Sequence, residues 1–453
     1  MRKKQFPIIR TLIALLLLLP FWMESLKAEQ KIVRMKSRTF PNPTVWDSNY
    51  TALLAASDGR VYVGLNQHGA GASVAMYNPK TDTMKLLGDM NRIAGQENLP
   101  IEPQAKVHTQ ICEGPDGKIY FGTHLSAFYG FAKFTSSEAY PGGHWMVYDP
   151  ATDTVTDLGI AQKGNGLITM AIDPKRERLY AITYPQAHFL IYDIKAQKTM
   201  DMGQVQNWDA ISRTLAVDDL GRVYGCWGQG RIWRFDPEKN AIENLHVQLP
   251  QREVGVPTYR AYWETEQTFT AVAHSPDRKL IYFLETGSSY LVEYDPHKGP
   301  EGEMRLLDQI CADRYKDKRD VPYAMISFCR GLDNVIYYAC NSATADEKGS
   351  PYWGGGMSAA LVTFDLNSGE REDMGLIRIE DDLVVVHPNA ASAAADGTIY
   401  FVAHVLEPKS KGREISGTPA DLVLEKAPEH KKQLHEGLSY TLRLLIFRPE
   451  KDN

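Results

Sequence analysis

Short apolar stretches recur along this chain, each with an aromatic residue in second place and each introduced by Asp-Gly or an equivalent turn. They read VYVGLN (61–66), IYFGTH (119–124), LYAITY (179–184), VYGCWG (223–228), IYFLET (281–286), IYYACN (336–341) and IYFVAH (399–404). A second phrase answers each of them: MYNP, VYDP, IYDI, RFDP, EYDP, TFDL and IFRP, the aromatic residue closing an apolar strand and the next residues opening a tight turn. Runs this short, bounded by turn residues and rich in β-branched and aromatic side chains, predict strands rather than helices. A repeat of roughly 40 to 60 residues with room for four short strands is the period of a propeller blade.

The fold expected is therefore all-β, a seven-bladed β-propeller in one domain spanning residues 29–453. Its blades fall at about 46–90, 106–160, 165–204, 210–248, 267–308, 322–376 and 385–453. The last copy stops close to its third strand. Residues 31–38 are expected to supply the missing outer strand and close the ring, which removes two open sheet edges.

The N-terminus changes the setting. Arg2, Lys3, Lys4 and Arg10 precede an apolar run from Thr11 to Met23, and Ala28 offers a small residue for cleavage. This is the pattern of a secretory signal peptide over residues 1–28, and it predicts a secreted or periplasmic protein with no membrane attachment after cleavage. Removing it takes away five basic side chains and Glu24 and moves the formal charge from −6 to −10. A nucleic-acid partner is not expected at that charge. The five cysteines show no CxxC spacing and sit mostly in apolar strands, so they are read as buried thiols.

Superposing the repeats also aligns the polar positions. The ends of the tyrosine-bearing strands give Asn66, His124, Tyr184, Gly228 (with Trp227 beside it), Thr286, Asn341 and His404. The starts of the strands that follow give Ser73, His144, His188, Arg231, Tyr290, Ala360 and Arg443. The segments leading into each repeat add Tyr50, His108, Arg213 and Asn389, with His68 and His387 in adjoining loops. Seven of the twelve histidines thus map to one face, and such a gathering predicts a functional cleft.

Imidazoles, a phenol and guanidinium groups without paired carboxylates do not suit glycoside hydrolysis, which uses two Asp or Glu residues. They suit elimination from a uronic acid, where the carboxylate is neutralised, the C5 proton taken and the leaving O4 protonated. The repeat, with Gly122-Thr123-His124, Gly142-Gly143-His144 and Tyr184-Pro185-Gln186-Ala187-His188, resembles the seven-bladed propeller polysaccharide lyases that include the ulvan lyases. The resemblance implies β-elimination on an anionic polysaccharide or oligosaccharide. It assigns His124, His144 and Tyr184 to catalysis, together with an arginine that is either Arg213 or Arg231. His188, His108, Tyr50, Trp227, Tyr290, His387, Asn389 and His404 are then expected to bind substrate.

A related propeller family removes α-L-rhamnose from glucuronate with a histidine near the first blade, but residues 44–56 contain none. A non-catalytic propeller that binds carbohydrate or protein is the third reading. No cofactor is expected and no metal ligand is assigned; Zn²⁺ or Ca²⁺ would be the metals to test on this histidine-rich rim. The aromatic segment 125–143 and the segment 350–356 with Tyr352 and Trp353 are read as loops that shape the cleft, and the charged segment 407–436 as a solvated, partly helical insertion.

Overall fold

The structure, a computed structural model, describes residues 31–126, 140–205, 214–226, 228–250, 267–285, 288–313, 320–323, 327–345, 351–352, 359–408 and 438–449. The expected signal peptide, most of the aromatic segment after Ser126, Arg213, Trp227, Trp353 and the charged stretch from Lys409 lie outside these residues.

The architecture is all-β, a succession of mostly four-stranded antiparallel sheets. Leu53–Ala55, Val61–Leu65, Ser73–Asn78 and Thr83–Asp89 form the first. In the second, Gln104–Val107 and Cys112–Glu113 share the inner edge of Ile119–Leu125, followed by His144–Asp149 and Thr154–Ile160. The third runs Gly166–Asp173, Arg178–Tyr184, His188–Asp193, Lys198–Gln204, and the fourth Ala216–Val217, Val223–Cys226, Arg231–Asp236, Ala241–Gln248. The fifth is Phe269–His274, Ile281–Glu285, Tyr290–Asp295, Glu303–Gln309.

An 11-stranded sheet follows, containing two four-stranded runs. One is Phe328–Arg330, Val335–Ala345, Ala360–Asp365, Arg371–Arg378. The other is Val384–Ala393, Ile399–Pro408, Leu438–Phe447, Lys36–Thr39. A single pair, Arg378 with Val384, joins them.

The recurring phrases have identifiable local causes. The tyrosine in second place sends its hydroxyl back to the turn aspartate: Tyr62 to Asp58 at 2.7 Å, Tyr120 to Asp116 at 3.0 Å, Tyr224 to Asp218 at 2.9 Å and Tyr337 to Asp333 at 2.5 Å. The aspartate that closes the following strand accepts from the backbone two residues on, as at Asp149 with the Ala151 N–H (2.9 Å) and Asp236 with the Glu238 N–H (2.9 Å). Both are side-chain-to-backbone or side-chain clamps that fix the turn and hence the strand register.

The tyrosine-bearing strands are buried throughout, Val61–Leu65 and Ile119–Leu125 among them, whereas outer strands such as Thr154–Ile160 alternate with solvent. The core therefore lies between successive sheets. Tyr62 and Val74 of the first pack with Val107, Phe121, Met146 and Tyr148 of the second. Gly122 permits the next such contact, since a Cβ there would lie 2.6 Å from the Leu167 side chain.

The N-terminal segment differs from the single closing strand expected. Ile32–Arg34 runs parallel to Arg371–Arg378, and only Lys36–Thr39 pairs with Leu438–Phe447, antiparallel from Lys36 opposite Ile446 to Thr39 opposite Arg443. All five cysteines are buried and none is in a disulfide. Among the described residues no helix is long and apolar enough to cross a membrane.

Candidate functional site

Four side chains from three successive sheets meet at one end of the molecule. Tyr50 lies on His108 with ring centroids 4.3 Å apart and planes 20° from parallel. His108 meets His124 edge to face at 5.2 Å, and His124 meets Tyr184 edge to face at 5.3 Å. The backbone sets this row. Tyr50 precedes the inner strand of the first sheet, His108 follows Gln104–Val107, His124 lies near the end of Ile119–Leu125, and Tyr184 ends Arg178–Tyr184.

Gly166 makes the row sterically possible. It is the register partner of Tyr184, and a Cβ on it would fall 2.0 Å from His124 Nδ1. His108 Nδ1 lies 2.8 Å from the Ile168 carbonyl, which only accepts, so this nitrogen carries the proton. The Thr51 hydroxyl donates to the His108 carbonyl at 2.5 Å and ties the two inner segments together.

A second group adjoins it. Asp47 accepts from the His68 backbone N–H at 2.7 Å and meets His68 Nδ1 at 2.8 Å. Burial alone would raise the Asp47 carboxyl, but the His68 contacts outweigh it and hold the group below its usual range. The Asp47 carbonyl accepts from His404 Nε2 at 2.9 Å, Asn389 Nδ2 approaches His404 Nδ1 at 3.4 Å, and the His387 ring lies 5.7 Å from that of His404. Burial lowers His404, and burial with the neighbouring His404 pushes His387 down to about 3.

These shifts have a consequence for stability. Burial, with Arg278 and Arg330 nearby, also pushes His274 down to about 3. A histidine whose folded pKa is depressed is neutral in both states above about pH 6.5, so nothing is lost there. As pH falls toward 3, the unfolded chain takes up protons that the folded chain refuses. Stability should therefore drop by up to about 1.4 kcal/mol per pH unit for each such histidine. Denaturant unfolding from pH 7 to pH 4, comparing wild type with His387→Gln and His274→Gln, checks this: each variant should flatten the slope.

Of the expected site residues, the structure brings together Tyr50, His108, His124 and Tyr184, and beside them His68, His387, Asn389 and His404. It places four others elsewhere. The His144 ring is held by Asp157 at 2.9 Å on Nδ1 and by Gln96 at 2.9 Å on Nε2, within a buried group in which Gln104 also takes hydrogen bonds from Thr123 and Tyr140. His188 repeats this arrangement one sheet on, with Nδ1 3.0 Å from Asp201. In both cases the same aspartate accepts from a glycine two residues later, Gly159 and Gly203, each at 2.8 Å. These glycines have φ of 98° and 88°, and both lie where the third-to-fourth strand pairing shifts register. The pair is thus a feature of the repeat, a histidine latched to an outer-strand bulge, and its ring does not face His124. Tyr290 is 5% exposed and packs with Phe283, Leu249 and Val292 in the core. Arg231 starts its strand opposite Gln248 with its side chain exposed.

Two site residues escaped the sequence reading. They are Asp47, a loop acid, and Lys106, the one charge in the strand Gln104–Val107. Lys106 is 1% exposed, pairs in register with His124 and places Nζ 5.5 Å from the centre of the Tyr50 ring. The signal available was its position two residues before His108, which puts both on the same inner edge. Among the described residues no three His, Cys, Asp or Glu side chains are grouped to hold a metal ion.

No family model and no curated protein matches the sequence. Solved structures do match in fold. The WD40 repeats of RRP9 align with a TM-score of 0.52 at 8% identity, over 93% of this chain and 99% of theirs. U3-55K aligns with a TM-score of 0.52 at 9% identity, over 93% and 99%. A fungal alcohol oxidase of the AA5 family, in complex with copper, aligns with a TM-score of 0.51 at 11% identity, over 91% of this chain and 76% of the oxidase. Likenesses at this identity concern the fold alone, and with the sheet layout they define a β-propeller-like protein.

Proposed function

We propose that the chain is an exported, seven-bladed propeller enzyme, its 11-stranded sheet counting as two blades, that cleaves a uronic-acid-containing polysaccharide by β-elimination. The observation that carries this reading is the row Tyr50, His108, His124, Tyr184: two imidazoles and two phenols in contact, including His124 and Tyr184 of the lyase-like motifs. His124 and Tyr184 are the acid–base pair. One takes the C5 proton, the electron pair of that bond becomes the C4–C5 double bond, the C4–O4 bond breaks, and the other gives O4 its proton. His108, with its proton fixed on Nδ1, backs His124. The propeller-like fold gives this reading its scaffold and no more.

Incubation with glucuronate- and iduronate-containing polymers, followed by ultraviolet absorbance of the unsaturated product, tests the proposal. Accumulation of the C4–C5 double bond is expected. A new reducing end without that double bond would make the protein a hydrolase, and glycan binding with no turnover would make it a binding propeller.

A further inference from the structure

A group of cations stands at the other end of the sheets from His124 and Tyr184. His274 pairs with Ile281 and Arg330 with Ile336, the first residues of two repeats whose equivalents end at His124 and Tyr184. Arg330 turns back to the fifth sheet, its Nε donating to the His274 carbonyl at 2.7 Å and its Nη1 to the Gly331 carbonyl at 2.9 Å. Arg278, four residues past His274, reaches beyond the fourth sheet to the Ile172 carbonyl of the third, 3.5 Å from its Nη1. His274 Nε2 accepts from the Val217 N–H at 3.4 Å, which leaves the ring proton on Nδ1. All three residues are half-buried, so solvent reaches them.

What sets Arg278 and Arg330 apart is their counter-charge. Arg222, Arg305 and Arg371 of neighbouring sheets each hold a carboxylate at 2.6 to 2.9 Å. Among the described residues Arg278 and Arg330 hold none, and their hydrogen bonds go to neutral carbonyls. The acids at this level are engaged otherwise: Glu113 accepts from the Ser57 N–H at 2.9 Å, Asp173 from Arg176 at 3.0 Å, Asp277 from the Ser275 hydroxyl at 2.7 Å and Asp333 from the Tyr337 hydroxyl at 2.5 Å. The geometry points to a binding site for a tetrahedral dianion, a phosphate or sulfate group, held between Arg278 and Arg330 beside His274. Two guanidinium groups offer forked donors that match such oxygens, and two positive charges balance two negative ones. The neutral Nδ1–H of His274 adds a donor without adding charge. The site is separate from the row at Tyr50, His108, His124 and Tyr184, and it stands whether or not the protein is a lyase.

The test is calorimetric titration of full mature chains at pH 7.5, in chloride of matched ionic strength, with inorganic phosphate, sulfate and acetate. Wild type, Arg278→Met, Arg330→Lys and Arg34→Met are compared, Arg34 being an exposed arginine paired with Asp382 far from this group. Wild type should bind one phosphate or one sulfate with a Kd below about 1 mM and acetate at least tenfold more weakly. Arg278→Met should weaken the dianions at least about tenfold, the loss of one charge-assisted contact. Arg330→Lys should lose less, because the charge stays and only the fork is removed, and Arg34→Met should bind as wild type does. Melting temperature gives a second reading. Arg278→Met removes one of two like charges, so in chloride it should melt no lower than wild type, and phosphate should raise the melting point of wild type alone. The inference is overturned if wild type binds neither dianion, if acetate binds as tightly, if Arg278→Met binds as wild type does, or if Arg34→Met loses as much as Arg278→Met. Should Arg278→Met fail to fold, unchanged dianion binding in Arg330→Met overturns it equally.

Discussion

Replacing His124 by alanine should reduce turnover of a uronate polymer by at least about a hundredfold, the contribution expected of one positioned acid–base group. The sharper form of this experiment leaves the imidazole in place and moves it. Gly166 is the register partner of Tyr184, and a Cβ there would lie 2.0 Å from His124 Nδ1 and 2.9 Å from Cε1. Gly166 needs no left-handed backbone, so Gly166→Ala adds one methyl group and nothing else. The His124 ring must rotate or retreat from Tyr184, and reacting groups displaced by about 1 Å lose of the order of a hundredfold in rate. Gly166→Ala should therefore approach His124→Ala in turnover while unfolding at nearly the wild-type denaturant midpoint. Full activity in Gly166→Ala would show that the edge-to-face contact of His124 with Tyr184 is irrelevant to chemistry. Activity lost together with several kcal/mol of stability would show only that the sheets had separated.

That site was partly legible in the sequence because propeller repeats align equivalent positions, and the strand ends at His124 and Tyr184 are such positions. The same alignment misplaced His144 and His188. A shared register position sets the level of a side chain along its strand, not the neighbour it meets. The bulges at Gly159 and Gly203 bring Asp157 and Asp201 of the outer strands to those histidines. The signal was present in Asp157-Leu158-Gly159, Asp201-Met202-Gly203 and Asp373-Met374-Gly375. Where the third of these occurs, Ala360 replaces the histidine and Asp373 accepts from the Asp313 N–H at 2.9 Å. Lys106 was hard to read for a different reason. A single charge in a short strand is ordinarily an exposed one, and only the meeting of two sheets encloses it.

A chain beginning at Asn42 should unfold at far lower denaturant than one beginning at Lys31, because residues 31–40 join parts of the molecule more than 300 positions apart. The Met35 N–H donates to the Arg378 carbonyl at 2.9 Å, and the Ser37 N–H and hydroxyl donate to the Glu380 carboxylate at 2.9 and 2.8 Å. Burial would raise that carboxyl, yet the Ser37 backbone and hydroxyl contacts hold it below its usual range. Val33 and Met35 pack with Ile377 and Leu445, while Phe40, 1% exposed, packs with Leu444 and Tyr400 in a neighbouring core. Losing three buried side chains at about 1.5 to 3 kcal/mol each, before any hydrogen bond is counted, removes roughly 5 to 9 kcal/mol. That is comparable with the whole stability of an ordinary domain. The truncation also bares the strand Leu438–Phe447 along its outer edge, leaving unpaired backbone groups open to another chain. The shortened protein should accordingly be found unfolded or aggregated at 25 °C, and size-exclusion chromatography with a urea titration measures both. A truncated chain that stays monomeric with the midpoint of the longer one would mean that these strands decorate a ring already closed without them.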